Sequence, residues 1–259
     1  MKKFAIIAAC AVLALGVLCC AAGCGGAKKE KLIDKTKLQV ATHPGYQGFE
    51  ELRDDGTYYG LDIEISQMIA DELGVELVIQ NMDFDSVVPS VKAGTKADMG
   101  AAGITINDDR KKEITFSEPY YYDNQAIVVQ DATKYTKENY AADLNKEGVV
   151  IFCQTGTSGE AYAQENFPNA TIKNVPDIGS LFTTLSTGQC DAVVQNAAPA
   201  RNIVKNFSNL TIIDTVATGE EYGLAMNQQN QELIDQVNAL IKKWKADGTL
   251  DKLCEKYNV

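Results

Sequence analysis

The chain has 259 residues, 45% of them hydrophobic and 23% charged, with a formal net charge of −11. That length carries one large domain or two small lobes with cores of their own, and the composition is that of a folded body in water. The excess of acid repels a phosphate backbone, so nucleic-acid binding is excluded as a function class.

The first elements lie in the leader. Lys2 and Lys3 precede an apolar run over residues 4–18, and the small-residue stretch Ala21-Ala22-Gly23-Cys24 follows. This is the layout of a secretory signal peptide. Its end resembles a bacterial lipobox, which implies removal of residues 1–23 and a lipid on Cys24. Ala21 stands where leucine is commonest, and Cys19 and Cys20 leave the cleavage point open. The rival reading is an uncleaved membrane anchor, although a spanning helix wants about 20 apolar residues. Either way the body is predicted to lie outside the membrane. Residues 24–37, rich in lysine and poor in aromatics, read as a tether.

The body begins with a strand over 38–41. A helix over 60–73 follows, with Leu61, Ile65, Met68, Ile69 and Leu73 on one face and Gly74 as its stop. A strand over 75–80 completes a strand–helix–strand unit, the building block of a parallel α/β sheet. A weak repeat comes next. A helix over 85–93, Gly94, then Asp98 and a short strand run into the loop 103–109; a helix over 178–186, Gly188, then Asp191 and a strand run into Gln195-Asn196-Ala197. The same order twice, about ninety residues apart, predicts two similar α/β lobes. The strongest periodic segment is C-terminal. Leu233, Ile234, Val237, Leu240, Ile241 and Trp244 form a core stripe, Gly248 ends it, and a helix over 250–257 closes the chain. Beyond the leader, Cys153, Cys190 and Cys254 sit in apolar settings and read as buried thiols, and no Cys or His pair has metal-ligand spacing.

Several motifs in order then carry a specific resemblance. They are Tyr59-Gly60-Leu61-Asp62-Ile63, Phe84-Asp85-Ser86-Val87-Val88-Pro89, Gly103-Ile104-Thr105-Ile106-Asn107-Asp108-Asp109-Arg110, Phe116-Ser117-Glu118-Pro119-Tyr120-Tyr121, Gln154-Thr155-Gly156-Thr157-Ser158-Gly159 and Glu221-Tyr222-Gly223-Leu224-Ala225. Over residues 38–257 the chain resembles the polar-amino-acid class (family three) of bacterial extracellular solute-binding proteins, the capture subunits of ABC importers. The resemblance implies an α/β, two-lobed fold of the type II periplasmic-binding-protein kind with two hinge strands. It places residues 38–127 with 223–259 in lobe 1 and residues 128–222 in lobe 2. It also implies a monomer without a cofactor, exported and lipid-anchored, that hands a small polar ligand to a membrane permease.

Asn107 is a good N-cap, which sets Arg110 in the first turn of a short helix, where its planar fork suits a carboxylate. In the family the matching arginine grips the ligand's α-carboxylate, helped by positions matching Gly103 and Thr105. Thr157 and Ser158 open a helix whose free N–H groups favour an anion, and Gln154 precedes them. Tyr46, Phe49 and Phe84 match positions where the family sets aromatic rings around the ligand's side chain, with a core role for Phe49 equally open. Two positions depart from the family pattern: His43 and Asn196 stand where acids are usual, the second being the partner of an α-ammonium. Three readings follow. The ammonium is served by rings, by Gln195 or by a carboxylate elsewhere such as Glu221; the ligand is an organic acid or acylated amino acid without a free ammonium; or the register is off by one, since Asn196-Ala197-Ala198-Pro199 is one longer than Asp-x-Pro. His43, the one histidine, is either a proton acceptor that makes capture pH-dependent or a neutral imidazole at the cleft edge. The enzyme alternative is a cyclohexadienyl-type dehydratase; with no nucleophile–base pair in view, a non-enzymatic function is expected. A capture role in sensing is the other alternative.

Overall fold

The computed structural model describes residues 32–259. The signal segment and the lipidation expected at Cys24 lie outside the described residues.

In chain order the strands are β1 (Lys37–Thr42), β2 (Glu51–Leu52), β3 (Tyr58–Tyr59), β4 (Glu76–Asn81), β5 (Met99–Gly100), β6 (Thr115–Phe116), β7 (Tyr121–Val129), β8 (Val150–Gln154), β9 (Thr171–Val175), β10 (Ala192–Asn196), β11 (Thr211–Tyr222) and β12 (Ala225–Met226). The helices are α1 (Leu61–Leu73), α2 (Phe84–Ala93), α3 (Asp108–Lys111), α4 (Tyr140–Asp143), α5 (Ser158–Asn166), α6 (Ile178–Ser186), α7 (Ala197–Val204), α8 (Gln231–Ala246) and α9 (Thr249–Tyr257). Two five-stranded sheets result, in the orders β4-β1-β5-β12-β6 and β11-β7-β10-β8-β9, and a small hairpin of β2 and β3 stands apart. In the first sheet β1 runs parallel to β4 and β5; in the second β8 runs parallel to β9 and β10. The protein is therefore a two-lobed α/β molecule of the type II periplasmic-binding-protein kind.

The sequence repeat has a structural counterpart. The Asp98 carboxylate accepts from Gln39 N at 2.9 Å while its own N–H donates to Gln39 O at 2.8 Å. Asp191 repeats both contacts on Val150, at 3.0 and 2.8 Å. In each lobe an aspartate just ahead of a central strand clamps the backbone of its parallel neighbour, β1 in one lobe and β8 in the other, so the lobes share a register device as well as an element order.

The lobes join through two chain crossings. Ser117 N donates to Leu224 O and Leu224 N to Ser117 Oγ, both at 2.9 Å, and Tyr120 N donates to Tyr222 O at 2.9 Å. β7 pairs wholly in the second sheet from Tyr121 onward. The sheets thus part at residues 117–121 and 222–224, whereas the lobe limits expected from the sequence stood at 127/128 and 222/223. The reason is the length of β7, which continues from the crossing into full pairing without a break. Apolar packing crosses the junction as well: Phe49, fully buried, meets Tyr46, Tyr121 and Tyr222 with ring centroids 5.0–5.6 Å apart. That gives Phe49 a core role. The thiols of Cys153, Cys190 and Cys254 are all free.

Candidate functional site

The carboxyl ends of the parallel strands in both sheets face one another, the position where open α/β sheets bind ligands. From the first lobe comes the loop after β5. Gly103 turns it with φ +53°, and a Cβ there would sit 2.7 Å from Tyr46 Cε1, so glycine lets the ring lie against the backbone. Gly103 N donates to the buried Asp62 carboxylate at 2.8 Å, and the Tyr120 hydroxyl donates to its other oxygen at 2.7 Å. Burial pushes the Asp62 carboxyl up to about 6, with both hydrogen bonds pulling the other way.

Farther along this loop Asn107 Oδ1 accepts from Arg110 N at 2.9 Å, the N-cap expected from the sequence. The cap aims Arg110 between the lobes. Its guanidinium donates from Nη1 to Thr105 O at 2.6 Å and from Nη2 to Gly156 O in the other lobe at 2.9 Å. It lies 5.4 Å from the centroid of the Phe84 ring. Two of its five N–H groups are thereby committed. Burial lowers the guanidinium's pKa and the charge of Glu220 opposes that shift.

From the second lobe comes the start of α5. Thr157 Oγ1 accepts from Glu160 N at 3.2 Å and donates to Gln154 O at 2.8 Å, while Gln154 Nε2 donates to Pro176 O at 3.0 Å. Ser158 follows on the first turn and Asn196 ends β10. Tyr46, Phe84, Gly103, Thr105, Arg110, Gln154, Thr157, Ser158 and Asn196 line one interlobe cavity of about 10 Å³, room for a single water. The lobes are thus closed on each other.

His43, expected beside these residues, does not line that cavity. Its Nδ1 lies 3.0 Å from Met82 O, which fixes the proton on Nδ1 because a carbonyl only accepts. Its Nε2 is buried without a partner.

A residue that sequence reasoning missed sits directly behind the wall. Glu220 is 9% exposed, and its Oε2 accepts from Thr105 Oγ1 at 2.7 Å, Ser158 Oγ at 2.7 Å and Asn196 Nδ2 at 2.9 Å. Its Oε1 accepts from Gln125 Nε2 at 2.5 Å and Thr218 Oγ1 at 3.2 Å. Glu221, the acid named from the sequence, pairs with Tyr122 across the strand and is not among the cavity residues. The exchange follows from a bulge. Between Val216, opposite Gln125, and Glu220, opposite Asp123, β11 has extra residues, and Gly219 turns there with φ +62°. Such a bulge re-aims a side chain. Glu220 then shares a strand face with the fully buried Tyr222, a two-residue periodicity that is the one signal for it in the sequence.

Tyr222 donates to Asp123 Oδ2 at 2.9 Å, so the 2.7 Å contact between the hydroxyls of Tyr46 and Tyr222 has Tyr46 as donor. Asp123, raised by burial, also accepts from Ala198 N at 3.1 Å. The cavity ring of Tyr46 is thereby fastened to the second sheet.

The comparisons agree with this architecture. The model of bacterial extracellular solute-binding proteins, family 3, matches residues 38–259. A probable histidine-binding protein of Neisseria gonorrhoeae is 29% identical over 272 residues, covering 99% of this chain and 96% of that one. Among solved structures, the amino acid ABC transporter substrate-binding protein AbpA from Streptococcus pneumoniae, bound to L-arginine, is 35% identical with a TM-score of 0.79, covering 86% of this chain and 94% of that one. The ancestral amino acid-binding protein AncCDT-1, a precursor of cyclohexadienyl dehydratase, is 33% identical with a TM-score of 0.79, covering 86% and 96%. With a family match across all but a few of the described residues and two lobes meeting at one polar cavity, the chain belongs to family 3 of the bacterial extracellular solute-binding proteins.

Proposed function

We infer that this protein captures a polar amino acid between its lobes and delivers it to an ABC permease without transforming it. The carrying observation is the position of Arg110. It is held by a capped turn, it reaches both lobes, and it keeps N–H groups for a carboxylate. Thr105 on one lobe and Ser158 on the other bring hydroxyls to the same wall, so a ligand carboxylate stabilises closure by contacts that an open cleft lacks. The proposed roles are carboxylate capture for Arg110, Thr105, Ser158 and the Gly103 backbone, and side-chain contact for Tyr46, Phe84, Gln154 and Thr157. Relatives named for histidine, arginine and cystine binding support an amino-acid ligand. The chain works as an exported monomer tethered by a lipid on Cys24.

The test is a thermal-shift screen of the purified protein against amino acids, acylated amino acids, organic acids and cyclohexadienyl acids, with product analysis of each hit. A ligand well above its Kd raises the midpoint by several degrees. Stabilisation by an amino acid recovered unchanged supports the reading; turnover of a cyclohexadienyl acid, or no response to any carboxylate, contradicts it.

A further inference from the structure

We propose that Glu220 supplies the negative charge of the ligand site, and that the ligand is therefore a free α-amino acid with an uncharged side chain. The proposal rests on the carboxylate-capture reading of Arg110 and extends it by a count of charge. The residues lining the cavity include one cation, Arg110, and no carboxylate. Glu220 is bonded through its side chain to the side chains of three of those residues, Thr105, Ser158 and Asn196, and it weighs most among the charges acting on Arg110. Asp85, the other acid near the mouth, is exposed and lines the open groove beside α2, where water screens it. Asp123 is engaged by Tyr222 and Ala198 behind the Tyr46 ring.

Asp62 is engaged by Gly103 N and the Tyr120 hydroxyl behind the loop backbone, so at the wall itself one cation, Arg110, stands against one anion, Glu220. A bound charge without a partner in such a site is costly, so the net charge of the ligand decides what closure tolerates. A zwitterion keeps the balance, with its carboxylate toward Arg110 and its ammonium toward Glu220. An acylated amino acid or organic acid adds a negative charge that nothing matches. Arginine or lysine adds a positive one, because among the described residues no second carboxylate lines the cavity. The side chain instead meets the Tyr46 and Phe84 rings and the neutral Gln154 and Thr157. Asn196 does not leave the ammonium unpaired in this arrangement: the charge has moved from the end of β10 to the bulged hinge strand, and the amide donates to it.

The test is calorimetric titration of the purified protein with each proteinogenic amino acid and the N-acetyl form of each binder. Wild type is expected to bind net-neutral amino acids at least a hundredfold more tightly than their N-acetyl forms and than arginine or lysine. Glu220→Gln is expected to lose that binding a hundredfold or more, and the double variant Glu220→Gln/Asn196→Asp, which returns one carboxylate to the wall, to recover most of it. Unweakened binding by Glu220→Gln, no recovery in a double variant that circular dichroism shows folded, or tightest binding of N-acetyl or cationic ligands overturns the proposal while leaving the role of Arg110 intact. Should Glu220→Gln fail to fold, the wild-type ranking alone decides. If no amino acid or derivative binds, the capture reading itself fails.

Discussion

Asn196 Nδ2 donates to Glu220 Oε2 at 2.9 Å, joining the end of a central strand of the second lobe to the hinge strand beside the interlobe cavity. The contact reverses the meaning that the amide carries in the sequence. Read alone, Asn196 is a lost acid; read with Glu220, it is the donor that holds an acid in place. Asn196→Ala removes one of the three donors on Oε2 and leaves the others. A hydrogen bond to a buried charged group contributes about 1.5–3 kcal/mol, so the variant is expected to unfold at lower urea with an unchanged m-value.

Gly103→Ala places a methyl group 2.7 Å from Tyr46 Cε1 at φ +53°. The ring cannot yield freely, since its hydroxyl is tied to Tyr222. Left-handed strain costs about 1–2 kcal/mol before any clash is counted. The expected result is a lower melting temperature together with weaker ligand binding, measured by scanning calorimetry and titration on the same preparation.

Asp62 gives stability a pH dependence. Its folded-state carboxyl is pushed up to about 6 from an ordinary value of 3.8. A raised pKa favours the protonated form in the fold, so this contribution is complete below about pH 4 and lost as pH rises through 6. The shift corresponds to about 3 kcal/mol. Urea unfolding between pH 4 and 7 is expected to show that decline, and Asp62→Asn to flatten it; an equal slope in both proteins would assign the effect to other groups.

The three thiols are predicted to be inert in the native state. Burial raises Cys153 and Cys190 to about 12 and Cys254 to about 11, so little thiolate exists near neutral pH. Reaction with a chromogenic disulfide at pH 8 is expected to be slow in buffer and rapid in guanidinium. Rapid native labelling would contradict it.

Where the structure depended on local chemistry, the sequence was legible. Asn107 read as an N-cap and is one, because capping needs only a side-chain oxygen three residues ahead of an amide. The aspartates of the repeat, Asp98 and Asp191, were visible as a pattern, and the structure gives that pattern one shared task, clamping a neighbouring strand. Nine of the ten residues expected at the ligand site line one cavity, while His43 stands apart on Met82 O. Glu220 was not legible. Two adjacent glutamates on a strand face opposite ways, and which of them turns toward the cavity-lining residues is set by a bulge whose position depends on pairing with β7. Register between strands far apart in sequence is a tertiary property, and periodicity within one strand does not report it.

The most direct test of the central claim is titration calorimetry of wild type, Arg110→Lys and Arg110→Ala with the strongest amino-acid hit of the screen. Wild type is expected to bind tightly, Arg110→Lys to lose at least tenfold because lysine keeps the charge but not the fork, and Arg110→Ala to give no measurable heat while its fold is retained. Binding by Arg110→Ala within a few-fold of wild type would contradict that claim, and would place the ligand's carboxylate somewhere other than on Arg110.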